Sequence, residues 1–191
     1  MRISLITQQT LQFHRQPGAP AVTRLSEVVA AVLGLFRGKL QAAGIAAEVR
    51  TERETGVACM PSETHQIFAN LVSNSIDAMQ RGGRLVVRLR PSRDWRDGQT
   101  PGMRVTFCDT GAGMSRATMR RIFEPFFTTK TETGTGLGLW VVAQLVERRH
   151  GDVRAWGWQR AAGCGTAISV FLPLGDAVAT DKDGLTNALD D

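Results

Sequence analysis

The sequence predicts an α+β fold, a two-layer sandwich in which helices cover one face of a mixed, mainly antiparallel sheet. The first indication is the order of the apolar patterns, which reads helix, strand, helix, strand, strand, short helix, helix, strand, strand. Its helices are too few and too grouped for strict alternation of strands and helices. The second is the composition: 191 residues, 42% hydrophobic and 21% charged, suit one globular domain with a substantial core.

The first half of the chain predicts two long helices and an intervening strand. Apolar residues recur with helical spacing from Ser26 to Ala43, and Gly44 stands where a C-terminal cap glycine is expected. Residues 45–52 alternate as a strand does. Pro61 opens the second helix, which is expected to run to about Gln80.

The second half predicts four strands and two helices. Turn residues separate the patterns, and Ser115 is the expected cap of the shorter helix. The expected order is a strand at 84–90, a hairpin-like loop at 91–101, a strand at 103–109, a short helix at 115–123, a helix at 138–149, and closing strands at 152–158 and 166–172 joined by a turn at 161–165.

The chain divides into three parts. Residues 1–20 read as the end of a helix and a Pro-Gly linker, 21–175 as one domain, and 176–191 as an acidic, polar and disordered tail. No run of 18 apolar residues is present. The three cysteines include no C-x-x-C pair, which argues against a zinc site or disulfide framework and favours the cytoplasm.

The net charge of +5 does not by itself identify a partner. The arginines are scattered, so a solvated surface explains them as well as a phosphate-bearing ligand or an acidic protein does. No nucleic-acid-binding motif accompanies the charge, and we expect no nucleic acid as partner.

The second long helix carries a polar face of an unusual kind. Asn70, Asn74 and Asp77 are spaced at i, i+4 and i+7 and therefore share one side of the helix. Asparagine is a poor residue for a helix interior, so its presence suggests a bound partner. Amide oxygens there suit a hard cation such as Mg²⁺, whereas a solvated polar stripe is the alternative. The expected opposite, apolar side consists of Phe68, Val72, Ile76 and Met79.

A carboxylate and two spaced glycines end the 103–109 strand. Asp109 is followed by Gly111 and Gly113, and such a carboxylate can accept from the exocyclic amine of adenine. A turn aspartate bonded to its own backbone is the alternative. Thr166 is placed by the pattern near the same end of the sheet, where its hydroxyl would brace that carboxylate or a neighbouring water.

A second glycine cluster opens the last helix. Gly134, Gly136 and Gly138 lead directly into an apolar helix, whose N-terminal N–H groups and dipole suit phosphate. Residues 128–135 are rich in hydroxyls and read as a mobile lid. Lys130 either contacts phosphate or is solvated. We expect Phe123, Phe126 and Phe127 to anchor the lid by packing.

Together these motifs resemble the ATP-binding catalytic domain of bacterial sensor histidine kinases, within the wider ATPase group that includes DNA gyrase B, MutL and the large heat-shock chaperone. The asparagine helix resembles the N box, and Asp109-Thr110-Gly111-Ala112-Gly113 the first glycine box. Residues 123–127 resemble the F box and 134–139 the second glycine box. The likeness covers about residues 24–174 and implies the Bergerat fold, a mixed sheet backed by three helices.

The resemblance implies ATP and Mg²⁺ as cofactors. By matching position, Asn74 is the Mg²⁺ ligand, Asn70 a second residue on the phosphate or metal side, and Asp109 the adenine reader. The expected catalytic residues are Asn70 and Asn74. The other expected nucleotide-binding residues are Asp77, Gly111, Gly113, Met114, Lys130, Thr135, Gly136, Leu137, Gly138, Leu139 and Thr166.

Two departures from the family pattern shape the expected function. Hydrolytic members of the group carry a glutamate where this chain has Asn70, which favours phosphoryl transfer over hydrolysis. None of His14, His65 and His150 lies in the family's phosphoacceptor pattern, whereas residues 1–20 resemble the end of its dimerisation hairpin.

We therefore expect transfer of the γ-phosphoryl group of ATP to a histidine on another domain, with a response regulator as the next partner. The parent kinase is expected to be a homodimer, membrane-anchored or not, whereas this chain alone can be monomeric. The alternatives are a serine kinase of the anti-sigma-factor type and a nucleotide-responsive interaction module without catalysis.

Overall fold

The structure is a computed structural model that describes residues 20–80, 82–130, 134–160 and 163–175. The helix and linker expected before residue 20 and the tail expected at 176–191 lie outside the described residues. The domain limits therefore stay predictions.

The described residues form seven strands and five helices. The strands are β1 (Ala21–Thr23), β2 (Ile45–Thr51), β3 (Val57–Cys59), β4 (Gly83–Arg93), β5 (Pro101–Asp109), β6 (Asp152–Arg160) and β7 (Gly163–Pro173). The helices are α1 (Leu25–Leu35), α2 (Arg37–Ala42), α3 (Pro61–Ala78), α4 (Arg116–Arg121) and α5 (Gly138–Glu147).

Five strands form one sheet in the order β2-β4-β5-β7-β6. Only the pairing of β2 with β4 is parallel, because the long helix α3 carries the chain across between them. The other three pairings in this sheet are antiparallel. Leu85, Val87 and Leu89 on β4 are fully buried at every second position, so one face of the strand meets the core. The predicted α+β sandwich is confirmed.

Three helices cover that face. α3 packs between α1 and α5, and its buried residues Phe68, Leu71 and Val72 fill the centre of the core. The rings of Phe68 and Phe107 lie 5.4 Å apart and join the helix layer to β5. Among the described helices, none combines the length and the apolarity that a bilayer crossing requires.

An ion-pair cluster fixes α3 against α5. Glu63 in the first turn of α3 accepts from Arg148 at 3.0 Å and from Arg149 at 3.1 Å, just beyond the end of α5. Glu63 and Arg149 are about three-quarters buried. These bonds hold together the two helices that carry the asparagine and glycine motifs.

Several expected elements differ in detail. The helix expected at 26–43 is interrupted at Phe36, which caps α1 and precedes α2. Gly44 closes α2 with φ +64°, as expected. The 84–90 strand continues to Arg93, and Pro91 pairs with Met103, so the hairpin loop is shorter than expected.

Two short strands were not expected. β1 and β3 form a separate antiparallel ribbon, and each has three residues, too few for an alternating pattern to be recognised in the sequence. The short helix near 115 was expected, and its cap is confirmed: the Ser115 hydroxyl accepts from the Thr118 N–H at 3.1 Å.

Candidate functional site

A cavity of about 1160 Å³ lies at the C-terminal half of α3. The loop after β5 bounds it on one side, and residues 127–130 together with the start of α5 bound it on the other. Its volume is slightly above the range of about 300–1,000 Å³ for small-molecule sites and is large enough for a nucleotide.

Of the residues predicted to bind ATP or Mg²⁺, all but Leu137 line this cavity. Leu137 occupies the N-cap position of α5. The predicted residues that line it are Asn70, Asn74, Asp77, Asp109, Gly111, Gly113, Met114, Lys130, Thr135, Gly136, Gly138, Leu139 and Thr166.

The two asparagines of α3 face the N-terminus of α5. A Cβ atom placed on Gly138 would lie 3.8 Å from Asn74 Nδ2 and 3.9 Å from Asn70 Oδ1. Asp77 lines the cavity together with both asparagines, so the shared polar face of α3 is confirmed. Ile76 and Met79 do not belong wholly to the opposite side, because both also line the cavity; Ile76 is half-buried and Met79 is buried.

Asp109 is a buried carboxylate at the end of β5, with only 5% of its surface exposed. Oδ1 accepts from the Gly111 N–H at 3.0 Å, and Oδ2 accepts from the Ser75 hydroxyl at 3.3 Å. Burial raises the pKa of the Asp109 carboxyl above its ordinary value, while these two donors and the backbone of Thr166 act in the opposite direction. Thr166 thus contributes through its backbone, beside Asp109 in the β5–β7 register.

The first glycine loop packs tightly on the end of α3. A Cβ atom on Gly111 would lie 2.6 Å from the Ala78 carbonyl oxygen, so a side chain there would force the loop away from the helix. Gly113 has φ +69°, a conformation that favours glycine. Both glycines therefore hold the turn that presents Asp109 to the cavity.

The second glycine loop brings backbone against backbone before α5. Gly136 has φ +67°, and a Cβ atom there would collide with the backbone of Phe126. The Thr135 hydroxyl accepts from the Leu137 N–H at 3.4 Å. Gly138, the first residue of α5, therefore stands open to the cavity with the positive end of the helix dipole behind it.

Lys130 lines the cavity and forms an ion pair with Asp77. Its Nζ donates to Asp77 Oδ2 at 2.5 Å, which joins the segment after the F box to the polar face of α3. The two expected alternatives, phosphate contact and solvation, did not include this pair. Residues 131–133 of the expected lid lie outside the described residues.

The phenylalanines of residues 123–127 do not all pack. Phe126 is 75% exposed and has φ +64°, so the expectation that it anchors the lid by burial was wrong. Its backbone, not its ring, makes the close contact with Gly136. Phe127 lines the cavity and lies 4.4 Å from the Arg121 guanidinium, so it belongs to the site as well as to the packing.

The residue that sequence reasoning missed is Ser75. It is 5% exposed, lines the cavity and donates to Asp109. The sequence contained one signal for it. Ser75 follows Asn74 and points towards the apolar side of the helix, and a buried polar side chain needs a hydrogen-bond partner. Ile168 on β7 also lines the cavity and was not singled out.

The residues present fit a magnesium ion that is shared with phosphates. Asn70 and Asn74 offer neutral amide oxygens, which hard cations accept, and Mg²⁺ commonly keeps several waters and takes phosphate oxygens as further ligands. In the described part of the chain, no three His, Cys, Asp or Glu side chains converge as a protein-only cage would require. The donor set therefore suits a cation that arrives with its nucleotide.

Comparison with known proteins places this architecture in a family. Residues 60–176 match the family described as histidine kinase-, DNA gyrase B-, and HSP90-like ATPase. Sporulation kinase E of Bacillus subtilis (strain 168) is 32% identical over 116 residues, which are 61% of this chain and 14% of that protein. Sensor histidine kinase ZraS of Klebsiella oxytoca is 35% identical over 114 residues, 60% of this chain and 22% of that protein.

A solved structure agrees with the sequence relatives. The mycobacterial sensor histidine kinase MprB superposes with a TM-score of 0.69 at 26% identity, covering 81% of this chain and 97% of that one. The present chain spans less than a quarter of the length of the two curated kinases above. The chain belongs to the histidine kinase-, DNA gyrase B- and HSP90-like ATPase family and contains the ATP-binding catalytic domain found in sensor histidine kinases.

Proposed function

We propose that this chain binds ATP with Mg²⁺ and transfers the γ-phosphoryl group to a histidine on a phosphoacceptor domain. One observation carries the proposal: a single cavity holds a buried carboxylate at one end and two asparagines facing a helix N-terminus at the other. These two ends match the two ends of a purine nucleotide.

Asp109 is proposed to select adenine. An ionised carboxylate only accepts hydrogen bonds, so it matches the exocyclic amine of adenine and opposes the carbonyl oxygen of guanine. Because Asp109 is 5% exposed, water competes weakly for that bond. Gly111 and Gly113 hold the turn, and Met114 and Thr166 are proposed to border the nucleobase.

The start of α5 is proposed to hold the phosphates. The N–H groups at Gly136 and Gly138 and the helix dipole favour negative charge. Lys130 adds a point charge at the same mouth, where Asp77 positions it. Thr135 and Leu139 border this end, and Leu137 is proposed to contribute through its backbone.

Asn70 and Asn74 would hold Mg²⁺ through their amide oxygens. Bound there, the ion would neutralise phosphate charge during transfer. The asparagines orient the phosphate end relative to Asp109, because all three residues are fixed by α3 and its contacts. A carboxamide at Asn70 has no basic site for taking a proton from water, which favours transfer to a protein acceptor over hydrolysis.

The acceptor and the next partner belong to the proposal. ThkA, a histidine kinase of the same fold, has been solved in complex with the response regulator protein TrrA. We extend that type of partner to this chain and propose a homodimeric parent kinase whose catalytic domain faces the cytoplasm, where ATP is available.

Reconstituted phosphotransfer tests this function. The chain is incubated with radiolabelled ATP, Mg²⁺ and the purified dimerisation and phosphoacceptor domain of ZraS, and the product is treated with acid. Label that transfers and is lost in acid supports phosphohistidine, whereas acid-stable label points to a serine kinase. ATP binding without transfer to any histidine domain would support the non-catalytic alternative. As a control, N74A is expected to abolish transfer.

A further inference from the structure

Ser75 forms a buried contact that the proposed function has not used. Its side chain is 5% exposed, and its hydroxyl donates to Asp109 Oδ2 at 3.3 Å. The other carboxylate oxygen, Oδ1, accepts from the Gly111 N–H at 3.0 Å. Ser75 therefore supplies a second, independent donor to a carboxylate that lies at the end of the cavity.

Two donors on two different oxygens restrict the carboxylate more than one donor does. The terminal torsion of an aspartate is intrinsically broad, so the backbone donors of Gly111 and Thr166 alone leave rotation of the carboxylate plane less determined than they do together with Ser75. The Ser75 hydroxyl comes from another element, α3, and the contact joins residues 34 positions apart. The plane of the carboxylate is thus set jointly by β5 and α3.

We infer that Ser75 is a positioning residue for nucleobase selection: it holds the Asp109 carboxylate in the orientation that accepts from adenine. This inference rests on the proposed nucleotide site. Ser75 acts through Asp109, and no contact of the hydroxyl with the nucleotide is required.

The position of Ser75 also links the two ends of the site. It is adjacent to Asn74 in α3, so one rigid helical turn carries both the proposed metal ligand and the residue that orients the base-reading carboxylate. Neighbouring helical residues differ by about 100° in direction, which lets Asn74 face α5 while Ser75 faces β5. The separation between the two ends is therefore fixed by backbone geometry.

The test compares binding of ATP and GTP by calorimetry in the full chain, with wild type, S75A and the matched control S169A. Ser169 is also a buried serine, 1% exposed, with one side-chain bond of 2.7 Å to Thr106, and it does not line the cavity. We expect S75A to weaken ATP binding about tenfold, because a carboxylate that has lost this bond to a charged group must be oriented when ATP binds, with little change for GTP. S169A should lower thermal stability without changing the ratio of the two affinities.

A second pair of variants separates the hydroxyl from the volume it fills. S75T and S75V have the same shape and differ in whether a hydroxyl is present. Retained ATP preference in S75T together with its loss in S75V supports the inference. An equal ratio in S75T and S75V, or a wild-type ratio in S75A, would overturn it and leave Ser75 a structural residue. If wild type itself binds neither nucleotide or shows no preference, the proposed nucleotide site is what fails.

Discussion

Replacing Asp109 with asparagine should raise the stability of the nucleotide-free chain and lower its affinity for ATP. Asp109 is 5% exposed, and burial raises its pKa above the unfolded value near 3.9. A carboxyl whose pKa is raised by folding contributes stability below its unfolded pKa, and that stability is lost as pH rises through the folded pKa. At neutral pH the ionised carboxylate therefore costs stability, which D109N should recover.

The same change should remove adenine binding. The Gly111 N–H lies 3.0 Å from Oδ1 and requires an oxygen there, so the new NH₂ group must occupy the place of Oδ2. It then opposes the amine of adenine, donor against donor, while the Ser75 hydroxyl, which donates to Oδ2 in wild type, can rotate and accept from the new NH₂ group. Losing a hydrogen bond to a charged acceptor costs about 1.5–3 kcal/mol, so we expect ATP affinity to fall about 100-fold.

Thermal melts of the nucleotide-free chain and calorimetric titration with ATP provide both readings. D109N should melt higher than wild type at pH 7, and the difference should shrink towards pH 4. The control is D97N. Asp97 is an exposed loop residue that does not line the cavity, and its bond to Thr100 lowers its pKa to about 2. D97N should leave ATP affinity unchanged. ATP affinity of D109N within twofold of wild type would show that Asp109 does not bind the adenine amine.

Three further substitutions test the proposed metal ligand and two ion-paired carboxylates. N74A should remove the Mg²⁺ dependence of ATP binding, and titrations with and without Mg²⁺ check this; an unchanged dependence contradicts the metal assignment. E63A should lower the free energy of unfolding by about 1–2 kcal/mol, because two arginines lose a partner that is about three-quarters buried, whereas E48A at an exposed pair should leave it nearly unchanged; urea melts decide. D94N should lower stability at pH 7, because the bond from Arg96 lowers the pKa of Asp94 and the ionised carboxylate therefore stabilises the folded state. This stabilisation is lost as pH falls through the folded pKa of Asp94. Equal melting temperatures of D94N and wild type at pH 7 would contradict the prediction.

The fold could be predicted from the sequence where an element was long enough to show a clear apolar period. The candidate site could be predicted where asparagines and glycines stood at positions that other residue types usually occupy. α3 has 18 residues, and its apolar and polar faces are both readable in the sequence. The glycines were informative because a side chain at Gly111 or Gly136 would meet backbone, a constraint that few other residues satisfy.

What the sequence did not predict depends on contacts between distant segments. Ser75 meets Asp109 only after α3 packs on β5, and Lys130 meets Asp77 across 53 positions. The ring of Phe126 is exposed while its backbone lies against Gly136, whereas composition favoured burial of the ring. The short ribbon of β1 and β3 likewise has too few residues for a periodic signal.

We propose that this cavity holds ATP with adenine at Asp109 and the phosphates at the start of α5. A crystal structure of the chain with a non-hydrolysable ATP analogue and Mg²⁺ tests it most directly. We expect the adenine amine within hydrogen-bond distance of Asp109 and the metal beside Asn74. A nucleotide bound elsewhere, or reversed with its phosphates at Asp109, would contradict it.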